Sequence, residues 1–128
     1  MESYQVLIDL QTVMNMLSKE IIMKLNIGEG SFIASLTTFG RKTGKLHTVL
    51  LRLVFHNDKL YASRRSMNGD WLQNLLKNSH VIIEVNGDKI NGEAALLEDK
   101  ELLGIISSLK YNDERALMER IVIEITPG

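Results

Sequence analysis

Apolar side chains recur at three- and four-residue steps through the N-terminal part of the chain. Polar residues separate them, and the series includes Val6, Leu10, Val13, Met14, Leu17 and Ile21. This spacing predicts an amphipathic helix. Ser18, with Glu20 in the turn that follows, predicts a break in that helix, with Ser18 as the cap of its second part. Gly28 and Gly30 are expected to end the segment.

From Phe32 onwards the pattern changes to short runs rich in β-branched and aromatic residues, bounded by turn residues. These runs predict six strands, at residues 32–38, 47–55, 59–63, 80–85, 89–97 and 120–126. Asn86 and Gly87 favour a type I′ turn between the fourth and fifth strands, because both central residues of that turn need positive φ. Pro127 is expected to stop the last strand.

Two helical stretches interrupt the strands. Residues 70–77 predict a short helix with Asp70 as its N-cap and four apolar residues on its buried side, Trp71, Leu72, Leu75 and Leu76. Residues 98–110 predict a helix capped near Asp99, and residues 111–120 a further short turn or helix. Because the strands come in hairpins rather than in βαβ alternation, we expect a single α+β domain. Its parts are a helical segment at 1–30 and a six-stranded antiparallel barrel with helices at 31–128.

Length, charge and composition narrow the class of protein. The 128 residues suffice for one domain, and a net charge of -1 argues against binding to nucleic acid or to an acidic membrane surface. The absence of cysteine excludes disulfides, thiolate zinc sites and thiol nucleophiles. No uncharged run approaches the ~18 residues of a membrane span, and no signal peptide is recognisable. A cytoplasmic protein is therefore expected.

The turn between the first two strands, Gly40 to Lys45, reads GRKTGK. Phosphate-binding loops combine glycines, whose N–H groups approach an anion, with Lys or Arg. This turn is not a P-loop, because only three residues separate its glycines, Leu46 replaces the magnesium-binding hydroxyl residue, and a strand follows. Two interpretations remain open at this point, a solvated hairpin tip and an anion site.

A second basic pair, Arg64 and Arg65, follows the third strand. A hairpin tip and a strand end can lie at the same rim of a small barrel. Such a rim would gather five cations around one groove suited to a polyanionic cofactor tail, with Ser63 supplying a hydroxyl and Trp71 a flat apolar wall. The cations are Arg41, Lys42, Lys45, Arg64 and Arg65. Taken separately, each basic pair is more typical of solvated surface. A binding site and a solvated surface remain equally open interpretations at this point.

Other chemistry has little support in the sequence. His47, His56 and His80 lack the spacing of metal ligands, so we expect no metal site and assign them to strand ends or turns. No serine lies in a nucleophile elbow. Tyr61 is expected in the core, whereas Tyr4 and Tyr111 lie where a flexible lid is conceivable. A bound redox cofactor needs no such machinery, because the cofactor itself carries the reactive atom.

The order of motifs resembles a known family over about residues 36–98. These motifs are LTTFGRKTGK, the Thr-Val strand, the Ala-Ser strand end and Trp-x-x-Asn-Leu. They resemble the deazaflavin-dependent nitroreductases, flavin/deazaflavin oxidoreductases of the split β-barrel fold related to pyridoxamine phosphate oxidases. The resemblance implies a six-stranded split barrel that binds the deazaflavin coenzyme F420, or FMN in some relatives.

The resemblance also implies which residues form the site. The cofactor tail would lie on Arg41, Lys42, Thr43 and Lys45, with Thr48 lining the pocket. The ring would be held, partly through backbone groups, by Ala62, Ser63, Arg64 and Arg65, and Trp71 and Asn74 would close the site. The chain departs from its relatives at Leu50, where they often have proline, and at the loop RRSMNGD, where they are glycine-rich.

The expected function is therefore hydride transfer from reduced F420 to an electron-poor small molecule such as a quinone, an enone or a nitro compound. No catalytic residue is assigned, although Ser63 or a tyrosine is suited to polarise the acceptor. The alternatives are an FMN-dependent reductase of the same fold, a non-catalytic carrier or sensor of a flat anionic ligand, and a barrel that binds nothing. A homodimer is expected, with Met14, Leu17 and Ile21 as its pairing surface.

Overall fold

The structure is a computed structural model that describes residues 10–113, 115 and 120–128. In chain order, its helices and strands are α1 (Leu10–Met23), β1 (Gly30–Phe39), β2 (Leu46–His56), β3 (Lys59–Arg64), α2 (Asp70–Lys77), β4 (His80–Val85), β5 (Asp88–Leu96), α3 (Lys100–Lys110) and β6 (Ile121–Pro127). All six predicted strands are present, with ends that differ by one or two residues from the prediction.

The strands form a closed barrel in the order β1-β2-β3-β6-β5-β4, and every neighbouring pair is antiparallel. The α+β barrel predicted from the hairpin pattern is confirmed. Two hairpins turn through pairs of residues with positive φ, the predicted Asn86–Gly87 pair and the Asn57–Asp58 pair. Asn and Asp tolerate this left-handed conformation better than other residues with a Cβ, which explains their place at these turns.

The inward faces of the strands and helix α2 form one core. Its strand residues include Leu36, Leu53 and Ile123, and α2 contributes Trp71, Leu72 and Leu75. Because successive strand residues point to opposite faces, the residues between the core positions lie on the outside of the barrel. The outer face of β2, β3 and β6 is covered by α3 through a second cluster, which contains Val54, Tyr61, Ile106 and Val122.

Helix α1 and the start of α2 differ from the prediction. Helix α1 runs without a break through Ser18, because its amphipathic spacing continues on both sides of that position. It ends at Met23, before Gly28 and Gly30. Helix α2 begins at Asp70, whose carboxylate does not cap it; the N-cap residue is Gly69. In α3, by contrast, the predicted cap is confirmed, since the Leu102 N–H donates to the Asp99 carboxylate over 3.1 Å.

The buried side of α2 is also rotated relative to the prediction. Leu76 is 41% exposed, whereas Asn74 is only 3% exposed. The hydrogen bonds that Asn74 makes under the β1–β2 turn, described below, favour its burial over that of the larger apolar side chain. The predicted core position of Tyr61 is confirmed.

Some predictions fall on parts of the chain that the structure does not describe. Tyr4 lies outside the described residues, as does half of the short element predicted at 111–120. Of the expected pairing stripe, the side chains of Met14 and Leu17 also lie outside them, and Ile21 packs against the barrel's own core. In the part that is described, the helices are too short or too polar to span a bilayer.

Candidate functional site

The turn between β1 and β2 is a compact loop closed by its own backbone. The Gly40 N–H donates to the Lys45 carbonyl over 2.7 Å, and the Gly44 N–H donates to the Gly40 carbonyl over 2.8 Å. The Lys45 N–H donates to the Thr43 hydroxyl over 3.3 Å. Gly44 has φ 73, a conformation that favours glycine, so this loop shape depends on its sequence. The turn therefore holds its side chains on a defined backbone.

Arg41 attaches this turn to helix α2. Its backbone N–H and its Nη1 both donate to the Asn74 Oδ1, over 3.2 and 2.8 Å, and its Nη2 lies 3.4 Å from the Asp70 carboxylate. The Asn74 side-chain amide in turn donates to the buried Thr38 hydroxyl over 3.3 Å. Asn74 thus links the end of β1, the turn and α2. Its role in this structure is to position Arg41.

Lys42 and Lys45 are the remaining cations of the turn. Both are exposed, and within the described parts of the chain neither forms an ion pair with a carboxylate. Two exposed ammonium groups on an anchored glycine turn provide neutralising charges for a phosphate or a carboxylate chain. These residues fit a polyanionic cofactor tail.

An open surface lies beside the turn on the outer face of β2. Leu46, Thr48, Leu50 and Arg52 alternate with the inward residues, and Leu46 and Leu50 are 64% and 74% exposed. The Thr48 and Thr37 hydroxyls lie 2.7 Å apart, which joins this face to the outer face of β1. Large aliphatic side chains at such exposure are more typical of a binding surface than of ordinary solvent-facing strand. This surface, which we call the β2 face, fits one side of a flat aromatic ring.

Arg64 and Trp71 meet at the end of β3. The guanidinium carbon of Arg64 is 5.7 Å from the Trp71 ring centroid, a cation–π distance. Trp71 itself is only 8% exposed, so its ring is largely part of the core and not an open wall. Gly69, with φ 136, makes room for this contact, because a Cβ there would lie 2.6 Å from Arg64 Nη1. Arg41 and Arg64 therefore both lie against α2.

Ser63 points away from Arg64, because neighbouring strand residues face opposite sides of the sheet. Its hydroxyl and its carbonyl accept hydrogen bonds from Lys110 Nζ over 2.9 and 3.3 Å. The Ala62 side chain is buried in the core, which leaves its backbone as the part that can face a ligand. Arg65 follows β3 and is exposed. The predicted ring-binding residues therefore do not share one surface: Ser63 lies on the outer face of the barrel, whereas Arg64 lies against α2.

Three further cations, Arg52, Lys110 and Arg120, were not predicted as site residues. Lys110 contacts Ser63, and the charges of Arg120 and Arg52 contribute, after burial, to lowering the pKa of Lys110. Arg52 could have been predicted from the sequence, because it follows Thr48 by four residues in the same strand and therefore lies on the β2 face. Lys110 is distant in sequence, and only the docking of α3 on the barrel brings its ammonium group to Ser63.

The histidines occupy the strand positions predicted for them. His47 is the second residue of β2, His56 ends that strand beside the Glu29 carboxylate, and His80 begins β4 at 3.7 Å from the carboxylate of Glu93. Among the residues the structure describes, no group of three or more His, Asp or Glu side chains is arranged to hold a metal ion.

An antiparallel split barrel with a basic turn beside an open apolar face belongs to a class of small cofactor-binding oxidoreductases. Within that class, residues 12–114 match the family model described as F420H(2)-dependent quinone reductase. The match covers most of the chain, so the protein belongs to this family. The expected F420-dependent reductase function and the F420 cofactor are thereby confirmed. No curated protein matches the sequence.

Solved structures with the same fold include three informative neighbours. An F420-H2-dependent reductase, FDR-A, is 22% identical, with a TM-score of 0.58 over 73% of this chain and 91% of that one. General stress protein 26 from Bacillus anthracis str. Sterne is 19% identical, with a TM-score of 0.63 over 85% and 88%. A structure described as a domain-swapped dimer is 22% identical, with a TM-score of 0.61 over 73% and 78%. At these identities the similarity confirms the split-barrel fold.

Proposed function

We propose that this protein reduces an electron-poor small molecule, such as a quinone, an enone or a nitro compound, with the coenzyme tail held by the β1–β2 turn. The observation that carries the proposal is the pair of exposed ammonium groups, Lys42 and Lys45, on a turn that Arg41 anchors to α2. The oligoglutamate and phosphate groups of F420 are anions of the kind such a turn neutralises.

The deazaflavin ring would lie on the β2 face, next to the turn. Thr48 offers a hydroxyl there, and Leu50 an apolar contact of the kind that flat ring systems prefer. Reduced deazaflavin supplies a hydride when bound. The residues of this chain contribute binding, orientation and exclusion of water, which is how proteins generally support cofactor chemistry.

Binding of the coenzyme tests this arrangement directly. Purified protein should quench the fluorescence of F420 saturably, and the double substitution Lys42→Gln/Lys45→Gln should weaken that binding by about tenfold for each charge removed. The substitution pair Lys89→Gln/Lys100→Gln removes two exposed lysines elsewhere and serves as the matched control. If both double variants bind F420 with equal affinity, the turn does not hold the coenzyme.

Turnover distinguishes an enzyme from a carrier. Oxidation of reduced F420 should be followed with a panel of quinone, enone and nitro acceptors. Saturable binding without oxidation by any of them would favour the carrier or sensor interpretation. A yellow protein as purified, which binds FMN more tightly than F420 in a parallel titration, would favour the FMN-dependent alternative.

We also infer a homodimer that works in the cytoplasm. The support is the exposed apolar surface, on α1 at Leu10 and Met16 and on β2 at Leu46 and Leu50, together with the dimer among the structural neighbours. Light scattering should give twice the mass of one chain. Leu10→Gln/Met16→Gln and Leu46→Gln would show which surface pairs, and a monomeric wild type would contradict the inference. Cell fractionation tests the location.

A further inference from the structure

Tyr111, which follows α3, has three cationic side chains against its ring. The guanidinium carbons of Arg120 and Arg115 lie 4.3 and 4.6 Å from the ring centroid, and Lys110 Nζ lies 5.3 Å from it. Arg115 is neutralised by Asp113, which accepts hydrogen bonds from both its Nε and its Nη2. Lys110 and Arg120, by contrast, have no carboxylate partner among the described residues.

Lys110, Arg120 and Arg52 form what we call the outer cation cluster. In the described parts of the chain, none of the three is paired with a carboxylate. Lys110 donates to Ser63, Arg52 donates to the Ser31 hydroxyl over 3.1 Å, and both acceptors are neutral. The Nε of Arg120 is buried, and no described residue forms a hydrogen bond with it. A buried donor without an acceptor is costly, and the cost is relieved when an anion binds.

The electrostatics of Lys110 show that these charges act on one another. Burial lowers the pKa of Lys110 most; the charges of Arg120 and Arg52 lower this pKa further, and the nearby Tyr111 phenol opposes the shift. Like charges held this close destabilise one another unless a counter-charge is supplied. Since the whole chain carries a net charge of -1, this positive potential is a local feature.

The position of the cluster relates it to the proposed cofactor site. Leu46, Thr48, Leu50 and Arg52 form one row on the outer face of β2, with the basic turn next to Leu46 and with Arg52, the member of the cluster on this strand, at the other end. The row spans about 20 Å from Leu46 to Arg52 at the usual rise of a strand. A coenzyme whose tail lies on the turn and whose ring covers Thr48 and Leu50 would therefore have its far edge towards the cluster.

We propose that the outer cation cluster binds an acidic group on the acceptor, so that the protein prefers quinones and related aromatic acceptors that carry a carboxylate or a similar anion. This inference rests on the proposed function for the order of tail, ring and acceptor along β2. Guanidinium groups match the geometry of carboxylates, and Arg52 is exposed, so the anion can approach from solvent.

The test compares two acceptors that differ in one charge, anthraquinone-2-carboxylate and anthraquinone-2-carboxamide, by calorimetry without coenzyme. We expect the carboxylate to bind about tenfold more tightly than the amide, as one charge-assisted contact would give. Arg52→Gln and Lys110→Gln should reduce or remove this preference, and Lys110→Arg should retain it. Lys100→Gln, an exposed position at the other end of α3, is the matched control.

Titration of the same variants with F420 separates this inference from the proposed function. We expect Lys110→Gln to keep the F420 affinity of wild type, because Lys110 lies on α3 and not on the β2 face. If F420 binds but the carboxylate has no advantage over the amide, the inference is wrong and the proposed function stands. If Lys110→Gln loses F420 instead, the cluster holds the coenzyme and the inference is overturned. If wild-type protein fails to bind F420, the proposed function fails, while the calorimetric comparison still decides whether the cluster selects an acidic aromatic ligand.

Discussion

Arg41 and Asn74 are joined twice, because the backbone N–H and the guanidinium Nη1 of Arg41 both donate to the same side-chain oxygen of Asn74. These two hydrogen bonds hold the β1–β2 turn against helix α2; without them the turn would project into solvent. Asn74 also reaches Thr38 beneath the turn, so one buried amide connects three elements of the chain. The Trp-x-x-Asn pattern thus has a structural function, in addition to the place near the cofactor that is proposed for it.

Replacing Asn74 should destabilise the protein. Asn74→Ala removes the acceptor of the Arg41 N–H and guanidinium and the amide that donates to the buried Thr38 hydroxyl, which should lower the free energy of unfolding by about 1–3 kcal/mol. Urea unfolding measures this change. Lys77→Ala, at an exposed position of the same helix, is the control and should stay within about 0.5 kcal/mol of wild type. If the two variants are equally stable, the amide does not support the turn.

Gly69 should resist substitution chiefly because of its backbone conformation, and also because Arg64 would have to move. A Cβ at Gly69 would lie 2.6 Å from Arg64 Nη1, and φ 136 is strained for any residue other than glycine. Gly69→Ala should therefore cost about 1–3 kcal/mol of stability and shift the emission of Trp71, the single tryptophan. In Gly69→Ala/Arg64→Ala the steric part of the cost should disappear while the backbone part remains. Additive losses in the double variant would show that the two residues do not interact.

The stability of the barrel should depend on Tyr61 at alkaline pH. Burial raises the pKa of Tyr61 well above its ordinary value, and the Glu124 carboxylate, which accepts a hydrogen bond from its hydroxyl over 3.0 Å, raises it further. Because the folded state holds this proton more tightly than the unfolded state, the resulting stabilisation is complete below a pH of about 10 and is lost as the pH rises beyond it. In that range the free energy of unfolding can fall by about 1.4 kcal/mol per pH unit.

Urea unfolding of wild type and Tyr61→Phe between pH 8 and about 11 isolates this effect. The free energy of unfolding of the variant should fall less steeply with pH than that of wild type above a pH of about 10. Leu96→Gln, at an exposed and uncharged position, should follow the wild-type slope and is the control. Parallel curves for all three proteins would mean that Tyr61 does not couple folding to protonation.

The β2 face should contribute to F420 binding through Leu50. Leu50→Asp introduces a charge next to the proposed ring position and should weaken F420 binding by tenfold or more, since the loss of apolar contact and the desolvation of the new charge act together. Leu96→Asp, at an exposed position of β5, is the matched control and should bind normally. Sizing chromatography of both variants keeps a change of assembly separate from a change of affinity. Normal binding by Leu50→Asp would place the ring elsewhere.

Local patterns predicted most features that one element decides by itself, although the break at Ser18 and the cap at Asp70 were predicted wrongly. The alternation of apolar residues predicted every strand, and the Asn86–Gly87 turn and the Asp99 cap were predicted and confirmed. Predictions failed where a neighbouring element supplied the deciding contact. Leu76 was expected inside α2, yet the β1–β2 turn and Thr38 provide hydrogen-bond partners for Asn74, which is buried instead.

By itself the sequence determined the α+β class, the six strands and the basic turn at Arg41 to Lys45, because hydrophobic period, turn residues and local charge are properties of neighbouring positions. Only the tertiary structure decided how these parts combine. Closure of the barrel and the docking of α2 anchor Arg41 and bring Trp71 to Arg64, and the docking of α3 brings Lys110 to Ser63. Contacts between residues so far apart in sequence depend on the packing of the whole core, which no local pattern encodes.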